Sequence, residues 1–244
     1  MPIAKSERAF GKIDRLMEKA SRALEQTDYF ECERLCLDAF ELAHTTSDYD
    51  RMARILLPIQ EARRQKRLAA IDVKRLYILE EPIPETEPVD PGCYLLQPPL
   101  VGADGRDLRE RADHEEVPVF ALVREPKNRL GMWPIVMIGP VTVRTRIKPP
   151  KNENKPDLAW FLGAAEALGD EAISQVAPDL QPAQRVEALC DRLGTVSEHE
   201  KIHQALANAC REAAVEAATH AESKGPHSKR TGVKPASGGG DKEE

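Results

Sequence analysis

Residues 27–43 read Thr27-Asp28-Tyr29-Phe30-Glu31-Cys32-Glu33-Arg34-Leu35-Cys36-Leu37-Asp38-Ala39-Phe40-Glu41-Leu42-Ala43, and they decide how the N-terminal part of the chain folds. Cys32, Leu35, Cys36, Ala39, Leu42 and Ala43 fall on one stripe of a helix, recurring every third or fourth residue. The same periodicity extends upstream through Phe10, Ile13, Met17, Ala20 and Leu24, with Leu16 and Ala23 beside them. Downstream of Ser47 it resumes in Met52, Ile55, Leu56, Ile59 and Ala62. Asp48 and Asp50 lie near the start of this third helix, where the backbone dipole favours negative charge. Pro58 removes a backbone donor and crowds the preceding turn, so the third helix is expected to kink or split there. Cys32 and Cys36, one helical turn apart, read as buried packing.

Asp28-Tyr29 followed by Cys32, and then Ala39-Phe40-Glu41-Leu42-Ala43, resembles the tetratricopeptide repeat over roughly residues 15–60. That family sets an aromatic near the end of its first helix and small residues where the second packs closely. Tyr29, Cys32, Ala39 and Ala43 stand at those positions. The motif starts again at Asp48-Tyr49, about 20 residues on instead of the family's period of about 34, and Gln26 replaces the glycine expected before the turn. The resemblance implies a helical hairpin that binds a protein partner or partner helix, with Tyr29 in the binding surface. The other reading is a helical subdomain, residues 1–72, packed on its own sheet.

Residues 73–150 change character. Prolines cluster from Pro82 to Pro99, and Leu76–Glu80, Cys93–Gln97, Val117–Arg124, Ile135–Ile138 and Val141–Ile147 read as strands of a small antiparallel β unit. In the last, Val141, Val143, Thr145 and Ile147 alternate with Thr142, Arg144, Arg146 and Lys148, which makes a half-buried strand with one basic face. Arg144 and Arg146 are candidate anion- or nucleic-acid-binding residues, although that face lacks the aromatics on which single-stranded bases would stack. Ala103-Asp104-Gly105-Arg106 and Lys127–Gly131 read as turns, and the charged stretch Asp104–Glu116 has no diagnostic spacing. Trp133 and Trp160 read as core anchors. The basic run Arg63-Arg64-Gln65-Lys66-Arg67 reads as a solvated helix end.

Residues 151–222 return to helical periodicity, in Leu158, Phe161, Leu162, Ala165 and Leu168, and then in Val186, Leu189, Cys190 and Leu193 after Pro182. A final helix is expected from Ser197. It contains His199-Glu200-Lys201-Ile202-His203, a match to H-E-x-x-H. Two histidines at this spacing lie on one helix face and share a zinc ion in zincin metalloproteases, and the intervening glutamate polarises the bound water. His199 and His203 are thus candidate zinc ligands and Glu200 a candidate catalytic base. The extended form of the motif wants Gly and His where Leu206 and Ala209 stand. Ser197 and Glu200 also make a capping box, which accounts for Glu200 without chemistry. With Ile202, Leu206, Ala209 and Ala213 as the buried stripe, both histidines fall at its margin. Residues 223–244, rich in Lys, Gly, Ser and Pro, read as a disordered tail.

The chain has 244 residues, of which 41% are hydrophobic and 31% charged, enough for a real core under a strongly polar surface. The net charge is -6, and the acidity sits in residues 151–222, which carry 6 basic and 13 acidic side chains. No segment is basic enough to announce nucleic acid. No apolar run approaches the roughly 20 residues that span a bilayer, and MPIAKSERAF has no apolar signal core. An odd count of 5 scattered cysteines fits a reducing cytoplasm. The expectation is an α+β, predominantly helical cytoplasmic protein that acts as a non-enzymatic interaction protein or scaffold and needs no cofactor. The alternatives are a zinc-dependent hydrolase and an anion- or nucleic-acid-binding module.

Overall fold

One turn, used twice, sets the N-terminal helices of the computed structural model, which describes residues 2–223. Helices α1 (Pro2–Glu25), α2 (Tyr29–Thr45) and α3 (Tyr49–Asp72) are joined at Thr27-Asp28 and Ser47-Asp48. Thr27 and Ser47 both adopt left-handed backbone, with φ of 61° and 51°. The next amide then reaches back to a carbonyl of the finished helix, Asp28 N to Ala23 O and Asp48 N to Ala43 O, both at 2.9 Å. Asp28 and Asp48 cap the following helices by accepting from the amides of Glu31 and Arg51, each at 3.1 Å. Such caps are worth ~1 kcal/mol apiece. The repeated Thr/Ser-Asp-Tyr therefore encodes a repeated turn.

Pro58 does not split α3, which runs unbroken from Tyr49 to Asp72. Its buried stripe of Met52, Ala53, Ile55, Leu56, Ile59 and Ala62 passes on both sides of the proline. Packing against α2 and against the C-terminal helix holds the segment helical despite the missing donor.

All five expected strands form: β1 (Leu76–Leu79), β2 (Gly92–Leu96), β3 (Val119–Arg124), β4 (Trp133–Ile138) and β5 (Thr142–Ile147). They lie in sequence order in one sheet. The sheet is mixed, not purely antiparallel. β1, β2 and β3 run parallel, and β3, β4 and β5 antiparallel. Parallel neighbours need crossovers. The proline-rich segment 80–91 supplies the first and helix α4 (Gly102–His114) the second. Ala103–Arg106, expected as a turn, is the first turn of α4, where the Asp104 carboxylate accepts from the Val101 amide at 2.6 Å.

The buried side of α4 is Gly102, Gly105, Leu108 and Ala112, so small residues stand where an apolar stripe would announce a helix. They let the helix lie close on the sheet, and a methyl group at Gly105 would overlap Val123 Cγ2. Gly105→Ala is therefore expected to lower stability by about 1–3 kcal/mol in urea unfolding, despite alanine's better helix propensity.

Helices α5 (Leu158–Ser174), α6 (Pro182–Thr195) and α7 (Glu200–Ser223) complete the order. One sheet face, with Cys93, Leu95, Phe120, Leu122, Ile135, Met137 and Val143, joins a continuous core with all the helices except α4. The other face, with Tyr94, Leu96, Ala121, Val123 and Val136, packs on α4 and Val89. β2 is buried along its whole length because both faces are covered. β5 keeps the expected alternation, with Val143 buried and Thr142, Arg144 and Arg146 exposed. Trp133 is buried and meets Trp160 edge-on at 5.3 Å. Cys32 and Cys36 are buried core residues. Among the described residues no helix is long and apolar enough to cross a membrane. Residues 224–244 of the expected tail lie outside the described residues.

Candidate functional site

An outer cleft and an inner hollow meet where α3, the sheet and the α6–α7 connection converge. The outer cleft, of about 490 Å³, lies between the α2/α3 hairpin and α4. Arg63, Lys66, Arg67, Arg106 and Arg109 line it, together with Glu33, Glu110, Asp113 and Glu198 and the apolar Leu37, Val117, Val119 and Ile138. The inner hollow, of about 170 Å³, is walled by Ile71, Phe120, Leu122, Met137, Leu162 and Val196. Arg67 and Glu198 line both.

Ionic contacts line and cross the outer cleft. Glu33, 8% exposed, accepts from Arg63 Nε at 2.6 Å and from Lys66 Nζ at 2.7 Å. Lys66 also reaches Asp113 on α4 and lies over the Phe30 ring at 4.1 Å. Burial alone would raise the Glu33 pKa, but the two cations hold its carboxyl down at about 2. Arg109 donates to the carbonyls of Thr195 at 3.2 Å and Ile138 at 2.9 Å, tying α4 to the far wall. That wall is tight: a Cβ on Gly139 would sit 2.8 Å from Thr195 Cα. Of the run Arg63–Arg67, expected as a solvated helix end, Arg63, Lys66 and Arg67 instead line the cleft, while Arg64 stays at the surface paired with Glu61.

The H-E-x-x-H residues part company. α7 begins at Glu200, and Glu200 pairs with Arg67 at 2.6 Å, so the expected capping box from Ser197 does not form. His199 and His203 do not sit at the core margin; they are 4% and 1% exposed. His203 Nδ1 lies 3.1 Å from the His199 carbonyl, and its Nε2 lies 3.4 Å from Arg63 Nη1. Burial, with Arg63 adding to it, pushes the His203 pKa down to about 3. His199 rests flat on α5 at Gly169, where a methyl group would overlap the imidazole. Its Nδ1 is 3.4 Å from Glu166 and its Nε2 3.4 Å from Asp170, while burial lowers its pKa against the pull of both carboxylates.

Glu166, Asp170 and His199 offer ligand atoms within 4.8 Å of one another, a grouping that could hold a metal ion. Lys201 Nζ already binds both carboxylates, at 2.7 Å and 2.8 Å, and a metal would have to displace that ammonium. Of the H-E-x-x-H residues, only His199 belongs to this group.

The other sequence candidates lie elsewhere. Tyr29 is half-buried at the start of α2 and packs on the core. Arg144 and Arg146 are exposed on β5, and Arg144 pairs with Glu125 at 2.6 Å. Neither the tyrosine nor the arginines line the cleft or the hollow. Sequence reading missed Glu198 and Arg67, whose neighbours are brought together only by the fold. No family model matches the chain, and no curated protein or solved structure matches it.

Proposed function

We propose that the chain is a non-enzymatic interaction protein that receives an acidic, partly apolar segment of a protein partner in the outer cleft. The observation that carries this reading is the composition of the cleft. Leu37, 41% exposed, stands beside Arg63, Lys66, Arg67 and Arg106 in a concave surface of about 490 Å³. An isolated exposed leucine means little. The wall around it also holds Glu33, Glu110, Asp113 and Glu198, but five cations to four carboxylates leave it weakly basic, which suits an apolar anchor flanked by carboxylates. The α2/α3 hairpin supplies Leu37, Arg63, Lys66 and Arg67 of that wall, and α4 supplies Arg106. Binding is favoured over hydrolysis because Glu200 and His203, which a zincin would aim at one metal, each face an arginine of α3.

Selection of random peptides on the full-length protein tests this. The recovered peptides are expected to combine Asp or Glu with leucine-like residues. Their affinity should fall at least about tenfold in Arg106→Glu and in Leu37→Asp. Arg106 is an exposed side chain, so Arg106→Glu should leave the melting temperature nearly unchanged. Peptides without acidic character, or peptides that bind both variants as well as the wild type, would refute the reading.

A further inference from the structure

The buried His199 ring points one nitrogen at a carboxylate without bonding to it. Nε2 is 3.4 Å from Asp170 Oδ1, outside hydrogen-bonding geometry, and has no partner among the described residues. A buried polar atom left in this state is a standing cost to the fold. What surrounds it is negative. Glu166 and Asp170 stand one turn apart on α5, and the Glu166 carboxylate is 3.4 Å from the other ring nitrogen. Like charges at this spacing on a helix repel. Lys201 offsets them, with Nζ 2.7 Å from Glu166 and 2.8 Å from Asp170, but it leaves His199 Nε2 unsatisfied.

A divalent cation in place of that ammonium would satisfy both carboxylates and the ring nitrogen together. The spacing suits it. Ligand atoms of the three residues lie within 4.8 Å of one another. Two atoms bound to one tetrahedral zinc at about 2.0–2.1 Å are roughly 3.3 Å apart. The 3.4 Å between His199 Nε2 and Asp170 Oδ1 is close to that edge. The imidazole is already fixed, because Gly169 lets it lie flat on α5. The two carboxylates and Lys201 are each about half exposed. The acids can therefore close on an ion, and the ammonium can swing into water, since an exposed ion pair contributes little. One imidazole with two carboxylates suits zinc and its transition-metal neighbours. Magnesium and calcium favour oxygen ligands alone.

We propose that Glu166, Asp170 and His199 bind a zinc-like divalent transition-metal ion in exchange for the Lys201 ammonium. The ion fastens α5 to the segment that enters α7. Glu200 and His203 take no part, since they face Arg67 and Arg63. None of the three ligands lines the outer cleft, so the site stands whether or not that cleft takes a peptide.

The test is calorimetric titration of the full-length protein with Zn²⁺, repeated with Mg²⁺ and Ca²⁺ and accompanied by melting curves. Zn²⁺ should bind saturably and raise the melting temperature. Mg²⁺ and Ca²⁺ should bind at least about tenfold more weakly. Asp170→Asn changes an exposed side chain and removes one ligand, so it should weaken Zn²⁺ binding at least about tenfold. Lys201→Met removes the competing cation and should strengthen Zn²⁺ binding at least about threefold. A ligand set that gained nothing from losing Lys201 would not be this one. No saturable Zn²⁺ binding, equal binding of Mg²⁺ or Ca²⁺, binding unchanged in Asp170→Asn, or binding unchanged or weakened in Lys201→Met would overturn the proposal.

Discussion

Glu33→Ala is expected to lower the unfolding free energy by about 3–5 kcal/mol, the cost of breaking a buried ion pair from one side. The side chains of Glu33, Arg63 and Lys66 are only 11%, 10% and 17% exposed. Removing the carboxylate would leave a guanidinium and an ammonium facing each other with little water between them. Lys66 would keep Asp113, but that carboxylate is 64% exposed and well screened. Urea unfolding at pH 7 measures the loss. The combined variant Glu33→Met, Arg63→Met and Lys66→Met should recover most of it, since apolar packing often matches a buried ionic group in stability. A loss under about 1 kcal/mol for Glu33→Ala would mean that water reaches the triad. The same group carries a pH signature. Its folded pKa lies near 2 against an ordinary value of 4.5. Its stabilisation is therefore complete above the ordinary value and drains away as pH falls from 4.5 towards 2.

The second large effect lies higher in pH. His203 titrates near 3 in the fold against an ordinary 6.5, so between those values only the unfolded chain takes up the proton. Stability is full above 6.5 and falls as pH drops through this window, by up to about 1.4 kcal/mol per unit. Between pH 7.5 and 5 that amounts to roughly 2 kcal/mol. The groups around the ring account for the shift: Arg63 from α3 disfavours the charged form along with burial, while Glu33 from α2 and the His199 carbonyl favour it more weakly. His199, also lowered by burial, adds a slope of the same sign. In His203→Leu about 2 kcal/mol of the loss between pH 7.5 and 5 should disappear, as read from urea curves at the two pH values. Identical losses in wild type and variant would mean that the imidazole is charged in the folded protein.

The helices and strands that declare themselves by periodicity are the ones the chain forms. The alternation in Val141–Ile147 and the apolar stripe in 29–43 are both preserved in β5 and α2. α4 is invisible to that method because its buried positions are glycines and one alanine beside Leu108, so close approach replaces hydrophobicity as its signature. The parallel half of the sheet follows from the same omission: without a helix at 102–114, no crossover could be placed between β2 and β3. Pro58 misled because a local rule was overridden by packing on both sides of α3. The candidate site was legible only in pieces. The histidines stood out by type, yet the burial of His199 depends on Gly169 letting α5 close over it. Glu33 meets Arg63 across 30 residues and Arg67 meets Glu200 across 133, separations at which no spacing rule operates.

The packing of α3 against α7 joins a helix near the start of the chain to the last described one. During synthesis α1–α3 emerge early, and their turns and caps are local enough to close at once. Yet α7 brings Ile202, Leu206, Ala209 and Ala213 to the core that α3 shares. On a ribosome adding about 5–20 residues per second, the bundle would wait some seconds with part of its apolar surface uncovered. The nascent protein is therefore most exposed to chaperones and to aggregation just before α7 emerges. Substitutions in that helix should then reduce soluble yield more than their effect on the finished protein's stability would suggest.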